Sequence, residues 1–121
     1  MSDPTYNIEF FAGEVYCTVL CTGKFSEKAF HDMVERMRDH RAGAGPKVKY
    51  LVDIRRTSYH FDNFARFRIA EGAAVLLPNL RVSVLGNSGV VDKITENTAF
   101  NRGMLILVTD NEAEAVLWLE K

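Results

Sequence analysis

The stretch Val48-Lys49-Tyr50-Leu51-Val52-Asp53-Ile54 decides the fold. Its centre, Tyr50-Leu51-Val52, is apolar without the alternation of a strand that keeps one face wet. Such a strand is covered on both sides, as in a parallel sheet flanked by helices. Residues 82–85 read as a short strand and 104–108 as another wholly apolar one, each followed by turn formers: Gly86-Asn87-Ser88-Gly89 after the first and Thr109-Asp110 after the second.

Helical signals fill the spaces between these runs. Ser26 is placed to cap a helix, and Ala29, Phe30, Met33, Val34 and Met37 form its apolar stripe. Arg41-Ala42-Gly43-Ala44-Gly45-Pro46 stops it, since Gly ends a helix and Pro forbids its continuation. Asp62 or Asn63 opens a second helix that runs to about Leu77, where Pro78 and Asn79 end it. A third is expected over about residues 90–100, with Val91 and Ile94 inward and Arg102-Gly103 at its end. Thr109-Asp110-Asn111-Glu112 reads as a capping box for a last helix holding Ala113, Val116, Leu117, Trp118 and Leu119. Upstream, residues 8–11 and 15–22 form a hairpin around Ala12-Gly13-Glu14, with Val15, Cys17, Val19 and Cys21 on one face and Gly23-Lys24 as breaker. The expected order is β-β-α-β-α-β-α-β-α. This is an α/β fold with a mixed five-stranded sheet: an antiparallel N-terminal hairpin, then parallel strands joined by right-handed crossovers, with about four helices.

Composition fits one domain over residues 1–121: 121 residues, 47% hydrophobic and 26% charged. A formal charge of −1 argues against a general nucleic-acid binder, which needs a basic excess. No apolar run reaches the roughly 20 residues of a membrane helix. Met1-Ser2-Asp3-Pro4 lacks the basic and apolar regions of a secretory leader, so a cytoplasmic location is expected. On one strand Cys17 and Cys21 stand about 13 Å apart at 3.3 Å per residue. A disulfide needs about 7 Å between Cα atoms, so both read as small buried hydrophobes.

The chain resembles the STAS domains of anti-sigma-factor antagonists, and its second half resembles the SpoIIAA-like group, related to CRAL-TRIO lipid-binding domains. The resemblance rests on Tyr50-Leu51-Val52-Asp53-Ile54 as central strand, on Arg81-Val82-Ser83-Val84-Leu85-Gly86 as the next, and on the tail from Thr109 to Leu119. It implies a regulatory or protein-interaction module rather than a catalyst. In the antagonists a phosphorylatable Ser opens the second helix after the central strand. The matching turn here is Phe61-Asp62-Asn63-Phe64, which has no serine. The usual phosphoserine switch is therefore not expected. Asp62 supplies a permanent charge near that helix start, and Ser58, several residues early, is the candidate phosphosite.

Two surfaces stand out. Arg55, Arg56, Tyr59, Asp62, Asn63 and Arg66 form a candidate partner-binding surface, in a segment where arginines alternate with Tyr59, Phe61, Phe64 and Phe67. Phe64 and Phe67, three residues apart, are expected to face the core. Asn87, Ser88 and Gly89 form a candidate anion site, where amides before a helix point outward beyond a parallel strand. The apolar second helix also suits a homodimer interface or a groove for an apolar ligand. His31, His40 and His60 are scattered, and His31 with Glu35 reads as a surface pair. Neither HExxH, CxxC, GxSxG nor a phosphate loop is present, so no metal, cofactor or catalytic residue is assigned.

Overall fold

The computed structural model describes residues 5–58, 63–87 and 102–121. Its order is β1 (Tyr6–Phe11), β2 (Cys17–Lys24), α1 (Glu27–Ala44), β3 (Tyr50–Ser58), α2 (Asn63–Leu76), β4 (Arg81–Leu85), β5 (Leu105–Thr109) and α3 (Glu112–Glu120). The five strands make one sheet in the sequential order β1-β2-β3-β4-β5. β1 and β2 are antiparallel, and every later neighbour is parallel. This is the mixed sheet expected from the alternating pattern. The expected helix at 90–100 lies outside the described residues, as do Tyr59, His60, Phe61, Asp62, Ser88 and Gly89.

The sheet divides the core into two unequal layers. Cys17, Val19, Cys21, Tyr50, Val52, Ile54 and Val82 face α1 and α2 in the larger cluster. Leu51 and Leu85 face the other way, onto Ala115 and Leu119 of α3. The continuous apolar run at 50–52 is thus explained residue by residue: Tyr50 and Val52 serve one layer, Leu51 the other. α1 buries the expected stripe, Ala29, Phe30, Met33, Val34 and Met37, and the Ser26 hydroxyl accepts from the Ala29 amide at 3.1 Å. Cys17 and Cys21 are buried free thiols.

Four expectations are corrected. β2 begins at Cys17, leaving Val15 56% exposed in the hairpin loop. Gly23-Lys24 does not break β2 either. Gly23 pairs with Tyr6 at φ +96°, where a Cβ would stand 2.3 Å from the Thr5 carbonyl oxygen, so its missing side chain lets β1 close on β2. β3 continues past Ile54, where the sequence reading ends the strand, through Arg55, Arg56, Thr57 and Ser58, because Thr22, Gly23 and Lys24 still offer pairing partners. The cap of α3 is Asn111, whose side-chain oxygen accepts from the Glu114 amide at 3.0 Å. Thr109 ends β5 instead; it is buried and accepts from the Asn111 amide at 3.1 Å.

The two glycines differ in what a methyl group would meet. Gly23→Ala should destabilise the fold by about 2 kcal/mol or more, from left-handed strain and the clash with Thr5. Gly43→Ala, inside α1 with nothing within 4 Å of the added carbon, should stabilise it by about 0.5–1 kcal/mol. Urea denaturation of both variants checks the opposite signs.

Candidate functional site

The carboxyl ends of β3, β4 and β5 share one rim, where open α/β sheets place ligands. Asp53 lies there, 8% exposed, on the face that α3 covers. Arg55, two residues on, donates Nε to Asp53 Oδ1 at 3.0 Å and Nη2 to Oδ2 at 2.8 Å. Its amide donates to Oδ1 as well, at 3.0 Å. The same guanidinium meets Glu112 Oε1 at 3.0 Å, in the first turn of α3. Asn87 joins the group by donating its side-chain amide to the Arg55 carbonyl at 2.7 Å, and the Gly86 amide donates to the Thr109 carbonyl at 3.0 Å.

Electrostatics follow from this packing. Burial alone would push the Asp53 carboxyl up; hydrogen bonds from the Arg55 side chain and amide, with the charges of Arg55 and Arg56, outweigh it and hold the group below the usual carboxylate range. Arg55 is raised in turn, chiefly by its hydrogen bonds to Asp53. Arg55 therefore acts within the molecule, as a tether between β3 and α3. The far end of α3 is held similarly: Lys49 Nζ donates to the Leu119 carbonyl at 2.7 Å and Arg81 to the Trp118 carbonyl at 3.0 Å.

Arg56 has a different setting. Leu20 pairs with Asp53 but Thr22 pairs with Arg56, so β3 carries one more residue than β2 across this step. The bulge keeps Arg56 on the Asp53 face instead of turning it away. Arg56 is exposed and borders a cleft of about 380 Å³ with Thr5, Gly23, Lys24, Thr57 and Ser58. Ser58 is exposed, opposite Lys24 in register.

The expected interface segment is split. Arg55 is engaged within the fold, Arg56 borders the cleft, and Asn63 and Arg66 belong to α2. Phe64 and Phe67 do not face the core: they are 76% and 39% exposed, and Val75 is 70% exposed. Ala70, Ala74 and Leu77 take the core side of this region, because small side chains let the helix approach the sheet. Phe64, Arg68, Glu71 and Val75 follow at helical spacing on the outer side. Arg68 pairs with Glu27 at 2.8 Å, and Arg102 pairs with Glu71 at 2.9 Å while standing 5.7 Å from the Phe67 ring.

At the opposite end of β2 and β3, Cys17 Sγ lies 4.0 Å from His40 Nε2, and His40 Nδ1 is 2.7 Å from the Tyr50 hydroxyl. Phe10 stacks on the imidazole at 5.0 Å. Sequence spacing gave no sign of this cluster, since its members come from separate elements. Burial pushes the Cys17 thiol up and the Tyr50 hydroxyl to about 12, which disfavours the thiolate. Cys21 is pushed to about 12, first by burial and then by the Asp53 charge. His31 and Glu35 form the expected surface pair at 3.0 Å. Among the described residues no group of three or more His, Cys, Asp or Glu is placed to hold a metal ion, and no described helix is long and apolar enough to cross a membrane.

The antiparallel hairpin, the parallel strands beside it and the helices on both faces define a SpoIIAA-like fold. An uncharacterized protein of the DUF3478 family from Shewanella loihica PV-4, described as having a SpoIIAA-like fold, superposes with a TM-score of 0.58 over 98% of each chain at 16% identity. At that identity the likeness shows the fold alone. No family model and no curated protein matches the chain.

The Asp53–Arg55 pair fixes a pH dependence. A carboxyl whose folded pKa lies below its unfolded value near 3.9 stabilises the fold above that value, and the gain is lost as pH falls through the folded pKa. Asp53→Asn should therefore lower the melting temperature at pH 7, and the gap to the parent should narrow by pH 3. At pH 7 Arg55→Ala should cost about 1–3 kcal/mol, by leaving a buried carboxylate short of donors. Thermal melts of the three proteins at both pH values check this.

Proposed function

We propose that the chain is a non-catalytic regulatory module that binds another protein through the outer face of α2, in the cytoplasm and without the usual phosphoserine switch. The observation that carries it is the exposure of Phe64 and Val75, at 76% and 70%, with Phe67 beside them. Large apolar groups on one helix face lose water when a partner covers them, and aromatic residues dominate the energetics of such interfaces. Arg68, on the same face, gives the surface the aromatic and arginine composition favoured at interfaces. The SpoIIAA-like fold supports a module of this kind, and the matching turn at 61–64 lacks the serine such a switch needs.

An apolar ligand beside α2 has less support. The described cleft between α1 and α2, lined by Phe30, Val34, Ile69 and Ala73, measures about 80 Å³. Ligand pockets usually run to about 300–1,000 Å³.

The test uses Phe64→Ser combined with Val75→Ser. Both side chains are mostly exposed, so stability should change by no more than about 0.5 kcal/mol per site. A partner captured by the parent protein, and forming with it a complex of defined mass in light scattering, should be lost or weakened by about 30-fold or more, the scale of an interface hot spot. A self-association abolished by the same substitutions would identify a second copy as the occupant. An unchanged partner and unchanged mass would refute the α2 surface.

A further inference from the structure

We infer that the cleft between the ends of β2 and β3 is a binding site for a phosphate monoester. The cleft, about 380 Å³, is lined by Thr5, Gly23, Lys24, Arg56, Thr57 and Ser58. Two of these are cations, three carry hydroxyls and none is a carboxylate. It lies beyond the carboxyl ends of two parallel neighbours, the position where this class of sheet gathers ligand-binding groups.

Charge supports the same chemistry. Arg36, Arg38, Arg55, Arg68 and Arg102 each pair with a carboxylate, and Arg41 and Arg81 donate to backbone carbonyls. Among the described residues the Arg56 guanidinium has neither an ion pair nor a hydrogen bond. Asp53, the carboxylate whose charge it senses, is already held by three donors from Arg55. The bulge brings Arg56 onto the Asp53 face, and among the described residues no carboxylate pairs with it. Lys24 is likewise exposed and, among the described residues, has no ion pair. A planar fork and a point charge together suit a tetrahedral dianion.

The walls are built before any ligand arrives. The Lys24 amide donates to the Thr5 carbonyl at 2.8 Å, and the Phe25 amide to the Ser58 carbonyl at 2.9 Å. Thr57 is committed through its hydroxyl to the Ile54 carbonyl at 2.7 Å, which leaves the Ser58 and Thr5 hydroxyls to meet phosphate oxygens. The open cleft, about 380 Å³, has room beside a phosphate group for a small organic substituent. This surface shares no residue with the outer face of α2, so either proposal can fail without the other.

Amide NMR titration tests the site at fixed ionic strength, with inorganic phosphate, glycerol 3-phosphate, and phosphatidylcholine vesicles with and without phosphatidic acid. Glycerol 3-phosphate should shift the Gly23, Lys24, Thr57 and Ser58 amides saturably and more tightly than inorganic phosphate. Preferential binding to the phosphatidic acid vesicles, lost in the variant below, would make a lipid headgroup the source; otherwise the source is a soluble monoester. Lys24→Ala combined with Arg56→Ala, both exposed sites, should weaken binding at least about tenfold, the loss of charge-assisted hydrogen bonds. Absence of saturable shifts in the parent overturns the inference. So do equal shifts in the double variant, or shifts spread over Lys28 and Lys47 alike.

Discussion

A carboxylate on a strand covered from both sides has to be neutralised where it stands. Asp53 is 8% exposed, and β3 lies between α1 and α2 on one face and α3 on the other. A buried charge left without partners costs several kcal/mol. Arg55 meets that demand with three hydrogen bonds, two from its side chain and one from its amide. The same guanidinium reaches Glu112, so the group that makes the buried charge tolerable also fastens the start of α3 to the sheet.

Much of the rim follows from that arrangement. Arg55 takes the Asp53 carboxylate, and its neighbour Arg56, across the bulge in β3, borders the cleft with Lys24 and Ser58. Asn87 closes the other side by bonding the Arg55 carbonyl. Adjacent arginines thus have separate duties, one holding the fold and one bordering an open cleft. Chemistry at the opposite end of the sheet is of another kind. There Cys17, His40 and Tyr50 lie together behind Phe10, and burial pushes the thiol up.

Much of the fold was legible in the sequence because its signals are local. The Ser26 cap, the stripe from Ala29 to Met37 and the apolar run at 50–52 each follow from spacing within a few residues. Even the Asp53–Arg55 pair had a signal, since residues two apart on a strand share a face. Readings failed where a neighbour decided the outcome. The central strand reads as ending at Ile54, yet β2 extends its ladder through Ser58. Thr109 satisfies a capping pattern, but β5 claims it and Asn111 caps α3. Phe64 and Phe67 are hydrophobic enough for the core, but Ala70 and Ala74 permit closer packing and so occupy the inner side.

By itself the sequence determined the alternation of strands and helices, the burial of the central strand and the absence of the usual serine at 61–64. Periodicity, capping and residue identity are properties of neighbours along the chain, so they survive without coordinates. Only the tertiary structure decided which arginine is consumed, which face of α2 meets water, and which distant residues enclose the cleft at Lys24 and Arg56. Those outcomes depend on competition between segments for the same partners and the same buried space, and that competition has no one-dimensional record.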